Sequence, residues 1–297
     1  MDKSSLSSFL RLSNPGLLAA GALFYSLGAA VADYLGLPID RARLILGLLV
    51  VSAVLLVGQY LQSYVAFLGE RGRTPRPDLS GPRSPPRNAM IYAAIISGGF
   101  LAILLSGLAV QAGAPLVSWL LLGIGILLAL AYSGPPFRLV TSGYGELAAS
   151  IGLAGLVPSY AFALQTGELH RLVWLATAPL IALTFALFIT RRLRDYASDV
   201  QLERRTILLR LGWETGMRLH DGALVLAAVL LAAGVAEGLP SRVGIGGAIV
   251  LPLAAAQIWQ MRRIRNGHPP RWRSLLAVAG ALPALTAYFT LVGFLLS

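Results

Sequence analysis

Two aspartates spaced four residues apart, Asp195 and Asp199, are the residues in this sequence whose spacing most clearly suggests chemistry. If their segment is helical, both side chains lie on one face, with Cβ atoms roughly 5–6 Å apart. Two carboxylates this close repel each other unless a cation lies between them. Mg²⁺ is commonly held by one or two carboxylates together with substrate phosphate oxygens. The pair therefore predicts a Mg²⁺ site that binds a diphosphate group.

Basic residues flank the acidic pair on both sides. Arg194, Arg204 and Arg205 could neutralise further phosphate charge through bidentate hydrogen bonds. The same spacing is compatible with an ordinary solvated helix end, in which Arg191 and Asp195 form an i, i+4 ion pair. The residues alone leave both interpretations open.

The turn at 131–138 contains two further candidates, Tyr132 and Arg138. Two consecutive prolines in this turn end the preceding helix, because proline cannot continue it. Tyr132 and Arg138 could line a site for a charged headgroup. Glu146 follows at the start of the next helix, where the helix dipole favours an acidic residue, so it needs no functional explanation.

The composition identifies the setting in which these residues must act. Of 297 residues, 56% are hydrophobic and only 12% are charged, whereas about a quarter of a soluble domain is charged. A soluble globule, a disordered chain and a nucleic-acid-binding module are poor interpretations, despite the net charge of +11. The absence of cysteine excludes disulfides and thiolate sites. The sequence predicts an all-α, polytopic membrane protein.

Nine segments are apolar over about the 20 residues that a membrane-spanning helix needs. We expect them to form a bundle around a central cavity, as one domain covering residues 1–297. The predicted spans are 15–34, 43–66, 89–111, 115–133, 146–165, 172–190, 222–238, 243–261 and 274–296.

The distribution of basic residues predicts the orientation. With the N-terminus in the cytoplasm, nearly all Lys and Arg residues fall on the inner side, as the positive-inside rule requires. The exceptions on the outer side are Arg41, Arg43, Arg171 and Arg242. The C-terminus is then outside, and the net positive charge reflects topology and anionic lipid rather than nucleic acid. Two long connections, about 67–88 and 191–221, are both predicted to be cytoplasmic loops.

Several short motifs occur in a fixed order along the chain. They are Tyr132-Ser133-Gly134-Pro135-Pro136, Gly143-Tyr144-Gly145-Glu146, Arg194-Asp195 with Asp199, Arg204-Arg205-Thr206, and Leu211-Gly212. Together they resemble the UbiA superfamily of intramembrane aromatic prenyltransferases, most closely its 1,4-dihydroxy-2-naphthoate polyprenyltransferase (menaquinone) branch. The resemblance covers nearly the whole chain. It implies nine helices and two cytoplasmic loops that carry the motifs.

The chain departs from this family at the first acidic motif, NDxxD, near the end of the second span. Ser63 and Ala66 stand where two aspartates are expected, and only Glu70 remains acidic. The Asn pair that precedes the second motif in the family is replaced here by Arg191 and Arg192. We therefore expect one Mg²⁺ ion, and the residues expected to bind it are Asp195, Asp199 and Glu70.

The resemblance implies transfer of a polyprenyl group from its diphosphate to an aromatic acceptor in quinone-type lipid biosynthesis. The diphosphate is expected on Arg194, Arg204, Arg205, Arg71, Arg73 and Arg138. Tyr64 and Tyr132 are expected near the allylic cation, because aromatic faces stabilise positive charge. Asp195 and Asp199 complete the predicted catalytic set. The stretch 71–77 could equally be a proline-extended loop whose charge only reflects topology.

Other functions remain open at this stage. The altered first motif is compatible with a protein of the same fold that binds a prenyl diphosphate or quinone-like lipid without turnover, and with a diverged member whose substrate is not a diphosphate. A small-solute transporter is a hypothesis from a different class. Against it, no acidic residue falls near the middle of a predicted span, although ionisable groups inside a membrane often mark transport pathways.

Overall fold

The fold is seen in a computed structural model that describes residues 13–69, 87–201 and 206–297. Within these ranges the regular structure is helical, and nine segments are long and apolar enough to cross a membrane. They are Pro15–Tyr34, Arg41–Ala66, Met90–Val110, Leu116–Ser133, Gly145–Thr166, Arg171–Gln201, Trp213–Ala236, Ser241–Arg265 and Trp272–Leu295. The predicted all-α, nine-span architecture is confirmed.

Some spans contain more than one helix, and short helices lie between others. In chain order the helices are α1 (Pro15–Tyr34), α2 (Arg41–Gly69), α3 (Arg87–Ala112), α4 (Leu116–Ser133), α5 (Leu139–Ser142), α6 (Gly145–Ile151), α7 (Val157–Thr166), α8 (Arg171–Gln201), α9 (Ile207–Leu211), α10 (Trp213–Ala236), α11 (Ser241–Ala248), α12 (Leu251–Arg265) and α13 (Trp272–Leu295).

The structure differs from the sequence prediction at the segment 191–221, which was expected to be a loop. Helix α8 continues to Gln201, and α10 already begins at Trp213. Hydropathy marks where a helix leaves the apolar layer, whereas a helix ends only where its backbone hydrogen bonds end. Charged residues tolerate helical geometry at a membrane surface. The acidic pair Asp195/Asp199 therefore lies on a continuous helix rather than on a loop.

The fifth span is interrupted by a π-helical turn, Gly152–Leu156, between α6 and α7. Pro158 lies two residues beyond this turn and has no N–H to donate to the carbonyl four residues earlier, which explains the local widening of the helix. Helix α1 packs closely here, since a Cβ atom on Gly28 would overlap the carbonyl oxygen of Pro158. This widened span forms one wall of the cavity described below.

The eighth span is also broken, although the sequence predicted one helix over 243–261. Helix α11 ends at Ala248 and α12 begins at Leu251, with Pro252 in its first turn. Pro252 has no N–H to donate to the carbonyl oxygen of Ala248, where α11 ends. The break falls just before this proline, although Pro179 and Pro283 lie within the continuous helices α8 and α13.

Helices α1, α7, α8 and α13 meet at the centre of the bundle. Phe24, Leu27, Phe162, Leu180 and Phe294 are fully buried there in one apolar cluster. By contrast, α3 and α4 expose large apolar side chains outward. Examples are Ile96, Ile103, Val110, Leu116 and Leu127. Exposed apolar surface of this extent is expected of helices that face lipid.

Candidate functional site

A cavity of about 340 Å³ lies between α1, α2, α4, the fifth span and α8. Most of its wall is apolar, with contributions from Leu55, Leu121, Leu128, Leu153 and Leu156. Apolar walls of this kind bury hydrocarbon through the hydrophobic effect. The predicted central cavity is present, and its apolar part can accommodate a hydrocarbon chain.

The polar residues of the cavity wall come together mainly from the ends of several helices. They are Asn14, Gln59, Gln62, Tyr132, Ser133, Glu146, Arg191, Arg192 and Asp195. Asn14 directly precedes α1, Ser133 ends α4 and Glu146 is in the first turn of α6. These positions lie at one end of the bundle, which we call the polar end of the cavity. Spans must be apolar in the middle, so polar groups collect where the helices leave the membrane.

The cavity extends deep into the bundle from this end. Tyr160 also lines it, on the same span as Glu146. The two residues are 14 positions apart in the sequence, which corresponds to about 21 Å along a helix at 1.5 Å per residue. A ligand with a charged head and an elongated apolar tail matches this shape.

Arg192 is the centre of a buried ion-pair network at the polar end. Its Nε lies 2.5 Å from Oε1 of Glu146, and its Nη2 donates to the carbonyl oxygen of Val140 at 2.6 Å. Its Nη1 lies 3.6 Å from Oδ2 of Asp199. Glu146 and Asp199 are almost completely buried, so a single guanidinium pairs with two buried carboxylates. The network holds α8 against the start of the fifth span.

The two aspartates of the predicted acidic pair have different partners. Asp195 lines the cavity and receives two hydrogen bonds from Arg194, at 2.8 Å from Nε and 3.2 Å from Nη2. Asp199 is 1% exposed and pairs with Arg192. The i, i+4 helical spacing is as predicted, but the two carboxylates are not presented together to the cavity.

The described residues do not fit a Mg²⁺ ion held by Asp195 and Asp199. No group of three or more His, Cys, Asp or Glu residues in the described part of the chain could hold a metal. Each carboxylate at the polar end has a guanidinium partner at ion-pair distance. Glu70, the third predicted ligand, lies outside the described residues.

Arg191 stands next to this network and contacts the cavity directly. Its guanidinium lies over the ring of Phe188, 5.7 Å from the ring centroid. It forms no ion pair with a carboxylate of the described residues, although Asp195 attracts it at longer range. Asp195 itself is held by Arg194. Arg191 is therefore a cation that an anionic ligand in the cavity can approach.

Of the remaining predicted site residues, only Tyr132 is found in the cavity wall among the described residues. Arg138 has a left-handed backbone, φ 41°, and its Nη2 donates to the carbonyl oxygen of Val65 at 3.4 Å. Neither Arg138 nor Tyr64 is among the residues that line the cavity, whereas Tyr132 is. The other predicted residues lie outside the described ranges: Arg71, Arg73, Arg204 and Arg205.

Sequence reasoning assigned no role to the Arg192 network. Glu146 was explained by the helix dipole, and Arg192 was noted only as a replacement for an asparagine. The two residues are 46 positions apart, and no local pattern pairs residues at such a distance. The sequence did contain a signal, because Glu146 and Arg192 are both charged residues at the edge of a predicted span. A charged side chain that is buried there needs a partner of opposite charge.

A second Arg–carboxylate cluster lies between α10 and α12, away from the cavity. Arg265 Nη2 donates to Oδ2 of Asp221 at 2.6 Å, and Asp221 Oδ1 is 3.1 Å from Nδ1 of the buried His220. None of these three residues lines the cavity. We call this group the Arg265 cluster, and it resembles the Arg192 network in chemistry but not in access to a ligand.

Comparisons with known proteins agree with this architecture. A UbiA homologue from Archaeoglobus fulgidus, bound to GPP and Mg²⁺, superposes with a TM-score of 0.64 at 16% identity over 97% of this chain and 99% of that chain. An apo UbiA homologue from Aeropyrum pernix K1 gives 0.67 at 17% identity, over 91% and 97% of the two chains. A digeranylgeranylglyceryl phosphate synthase gives 0.59 at 16% identity, over 98% of both. Identities this low establish the fold alone.

No curated protein sequence matches the chain. The sequence profile of the UbiA prenyltransferase family, however, matches residues 16–279, which is most of the chain and includes every residue of the polar end except Asn14. Together with the nine apolar spans, this match identifies an integral membrane protein. The chain belongs to the UbiA prenyltransferase family.

Proposed function

We propose that this protein binds a prenyl diphosphate in the cavity and transfers its prenyl group to an acceptor. The diphosphate lies at the polar end, beside Arg191, and the prenyl tail extends among the apolar residues toward Tyr160. The A. fulgidus homologue was solved with GPP, a ligand of this chemical class. The polar end faces the cytoplasm in the orientation that the basic residues predict.

The observation that carries the proposal is Arg191, a cavity-lining guanidinium without a carboxylate partner among the described residues. A guanidinium binds phosphate oxygens in bidentate fashion and keeps its charge at any physiological pH. Its position at the mouth of an apolar cavity matches a ligand with one anionic and one hydrocarbon end. Arg194, Arg204 and Arg205 remain candidates for further diphosphate contacts.

The reaction breaks the bond between C1 of the prenyl chain and the diphosphate oxygen, and the electron pair leaves with the diphosphate. C1 then bonds to a carbon of the acceptor, which loses a proton to water or a base. Positive charge at the polar end favours the first step, because negative charge builds up on the leaving group. Tyr132 offers an aromatic face to the allylic cation.

For the acceptor we propose an aromatic ring of the hydroxynaphthoate or hydroxybenzoate type, as in quinone biosynthesis. The sequence motifs resemble the menaquinone branch most closely. One solved structure of similar fold is a digeranylgeranylglyceryl phosphate synthase, so acceptors of other chemistry belong in the test.

A second candidate function is binding of a prenyl lipid without turnover. It is favoured by Ser63 and Ala66, which occupy the positions where the resemblance leads us to expect aspartates. Both residues lie on α2, whose side chains on the cavity wall near the polar end are the neutral amides Gln59 and Gln62. This candidate predicts binding of GPP and no product with any acceptor.

The experiment uses full-length protein purified in detergent or reconstituted in nanodiscs. Binding of radiolabelled GPP is measured first. The labelled complex is then incubated with hydroxynaphthoate, hydroxybenzoate and glycerol-phosphate ether acceptors, and lipid-soluble products are separated by chromatography. Arg263→Gln serves as the control variant, since Arg263 also stacks on an aromatic ring, that of Trp259 at 5.0 Å, but lies outside the cavity wall.

Saturable GPP binding that Arg191→Gln weakens and Arg263→Gln does not alter supports the proposed site. Formation of a labelled lipid with one acceptor identifies the enzyme, and binding without any product favours the second candidate. Absence of GPP binding by folded wild-type protein contradicts both.

A further inference from the structure

Resting on the proposed function, we infer that this cavity binds its prenyl diphosphate without a protein-bound divalent metal, because each described carboxylate at the polar end already pairs with an arginine. The ligand class stays the same. The inference concerns the source of positive charge at the polar end. Arginine side chains of the protein supply this charge, rather than a metal ion bound from solution.

The first support comes from the carboxylates themselves. Glu146 and Asp199 both pair with Arg192, at 2.5 and 3.6 Å, and Asp195 pairs with Arg194 at 2.8 Å. A metal ion needs ligand oxygens that face it with available lone pairs. At the polar end, each described carboxylate directs at least one oxygen toward a guanidinium group, although the buried Oε2 of Glu146 makes no hydrogen bond.

The second support is the cost of exchanging Arg192 for a metal. A Mg²⁺ ion placed between Glu146 and Asp199 would have to displace the guanidinium, which also donates to the carbonyl of Val140 at 2.6 Å. Arg192 would then be a buried charge without its partners, an arrangement that proteins strongly disfavour. The neighbouring charge of Arg191 would repel the ion as well. The ion pairs of Arg192 and its hydrogen bond to Val140 therefore favour the arginine over the metal.

The third support comes from the opposite wall. Helix α2 contributes Gln59 and Gln62 to the cavity, and these neutral amides bring no negative charge. Two metal ions bridging two helices need acidic groups on both. In the described part of this chain, acidic groups at the polar end come only from the fifth span and α8.

Arg191 completes the arrangement by contacting the ligand. Arg192 pairs with Glu146 and Asp199, whereas Arg191 forms no ion pair with a described carboxylate and lines the cavity. The leaving diphosphate can thus be stabilised by a guanidinium that is already in place and does not depend on the concentration of an ion. This division of roles explains why two adjacent arginines line the same cavity.

The test measures equilibrium binding of radiolabelled GPP to wild-type protein in excess EDTA and in millimolar Mg²⁺. We expect the two dissociation constants to agree within about threefold, because the ligand contacts come from protein groups. Arg191→Gln should weaken binding about tenfold or more in both conditions, since it removes a charge-assisted hydrogen bond donor. Arg263→Gln should match wild type in both.

Binding that falls about tenfold or more in EDTA and returns with Mg²⁺ overturns the inference while leaving the proposed function intact. Absence of GPP binding in either condition overturns the inference and the proposed function together. The comparison uses wild-type protein, so it does not depend on whether any Arg192 variant folds.

Discussion

The Arg192 network and the Arg265 cluster make the same kind of interaction in two regions of the bundle. Each joins two spans through an arginine and a largely buried carboxylate, at 2.5 Å for Glu146 and 2.6 Å for Asp221. Only the Arg192 network lines the cavity, beside a second arginine. A buried ion pair therefore does not by itself indicate function. Access to a cavity of matching chemistry distinguishes the two regions.

The two regions also lie at neighbouring levels of the bundle. Ile189 and Leu193 on α8 pack with Met217 on α10 and Met261 on α12 in one apolar cluster. Because the surroundings are similar, variants in the Arg265 cluster report the structural cost of losing an ion pair. The difference between matched variants isolates the contribution of the ligand site.

The largest difference between the regions is expected from Arg192→Gln and Arg265→Gln. Arg192→Gln removes the guanidinium that pairs with the buried Glu146 and Asp199, and should lower the free energy of unfolding by about 3–5 kcal/mol. It should also abolish measurable GPP binding. Arg265→Gln should be destabilising as well, yet bind GPP like wild type at a temperature where it is folded. Thermal denaturation and GPP binding on both variants check this.

Equal loss of GPP binding in Arg192→Gln and Arg265→Gln would contradict the distinction, because it would mean that both regions act only through stability.

The effect of Mg²⁺ on the melting temperature gives a second comparison. We expect Mg²⁺ to raise the melting temperature of Arg192→Gln, in which Glu146 has lost its guanidinium partner, and to leave that of wild-type apo protein unchanged. No response in the variant would contradict the view that Arg192 pairs with these carboxylates in place of an ion.

The next largest effect is expected at Arg191. Arg191→Gln should weaken GPP binding about tenfold or more without lowering the melting temperature, because this side chain forms no ion pair with a described carboxylate and stacks on Phe188 instead. Arg263→Gln loses a similar stacking contact and should show neither effect. Isothermal binding and denaturation measurements separate the two outcomes. Destabilisation of Arg191→Gln to the level of Arg192→Gln would place Arg191 in the structural network instead.

The apolar body of the cavity can be tested by filling it. Gly125 lines the cavity on α4, and a Cβ atom there would meet no other atom within 4 Å. Gly125→Phe should therefore fold and should bind longer prenyl diphosphates more weakly than GPP. Gly123→Phe is the matched control, since Gly123 has the same open space on the same helix but does not line the cavity. Unchanged binding of long chains by Gly125→Phe would show that the tail lies elsewhere.

The smallest effect is expected from Asp195→Asn. Its ion pair with Arg194 is half-exposed, so removing it should change GPP affinity less than about fivefold, in line with the 0–1 kcal/mol typical of exposed pairs. The acidic-pair metal site predicted from sequence requires instead that Asp195→Asn lose binding or transfer. A GPP titration in Mg²⁺ decides between the two. The double variant with Asp199→Asn is less informative, because Asp199 is buried in the network.

The fold was largely predictable, because each span must be apolar over a length fixed by the membrane. The first span, 15–34, coincides with α1 at both ends. The predicted helix ends were wrong where a helix continues beyond the apolar part of its span. Helix α8, for example, extends to Gln201, whereas the predicted end was residue 190. The break before Pro252 and the π-helical turn before Pro158 were also missed, although proline gave a local signal at both.

The site was only partly predictable. Asp195 and Tyr132 line the cavity as expected, since their positions follow from where spans end. The pairing of Glu146 with Arg192 depends on how the fifth span packs against α8, and spacing along the chain does not encode it. The prediction of a shared metal site assumed that the nearest carboxylates act together. In the structure, Asp195 pairs with Arg194 and Asp199 with Arg192.

The most direct test of the account is a structure of the protein in nanodiscs with a non-reactive thiol analogue of GPP, prepared in EDTA. We predict that the phosphate groups lie within hydrogen-bond distance of the Arg191 guanidinium, with the hydrocarbon tail among the leucines of the cavity body. Density for the diphosphate at another surface, or its appearance only when Mg²⁺ bridges it to the aspartates, would contradict the account.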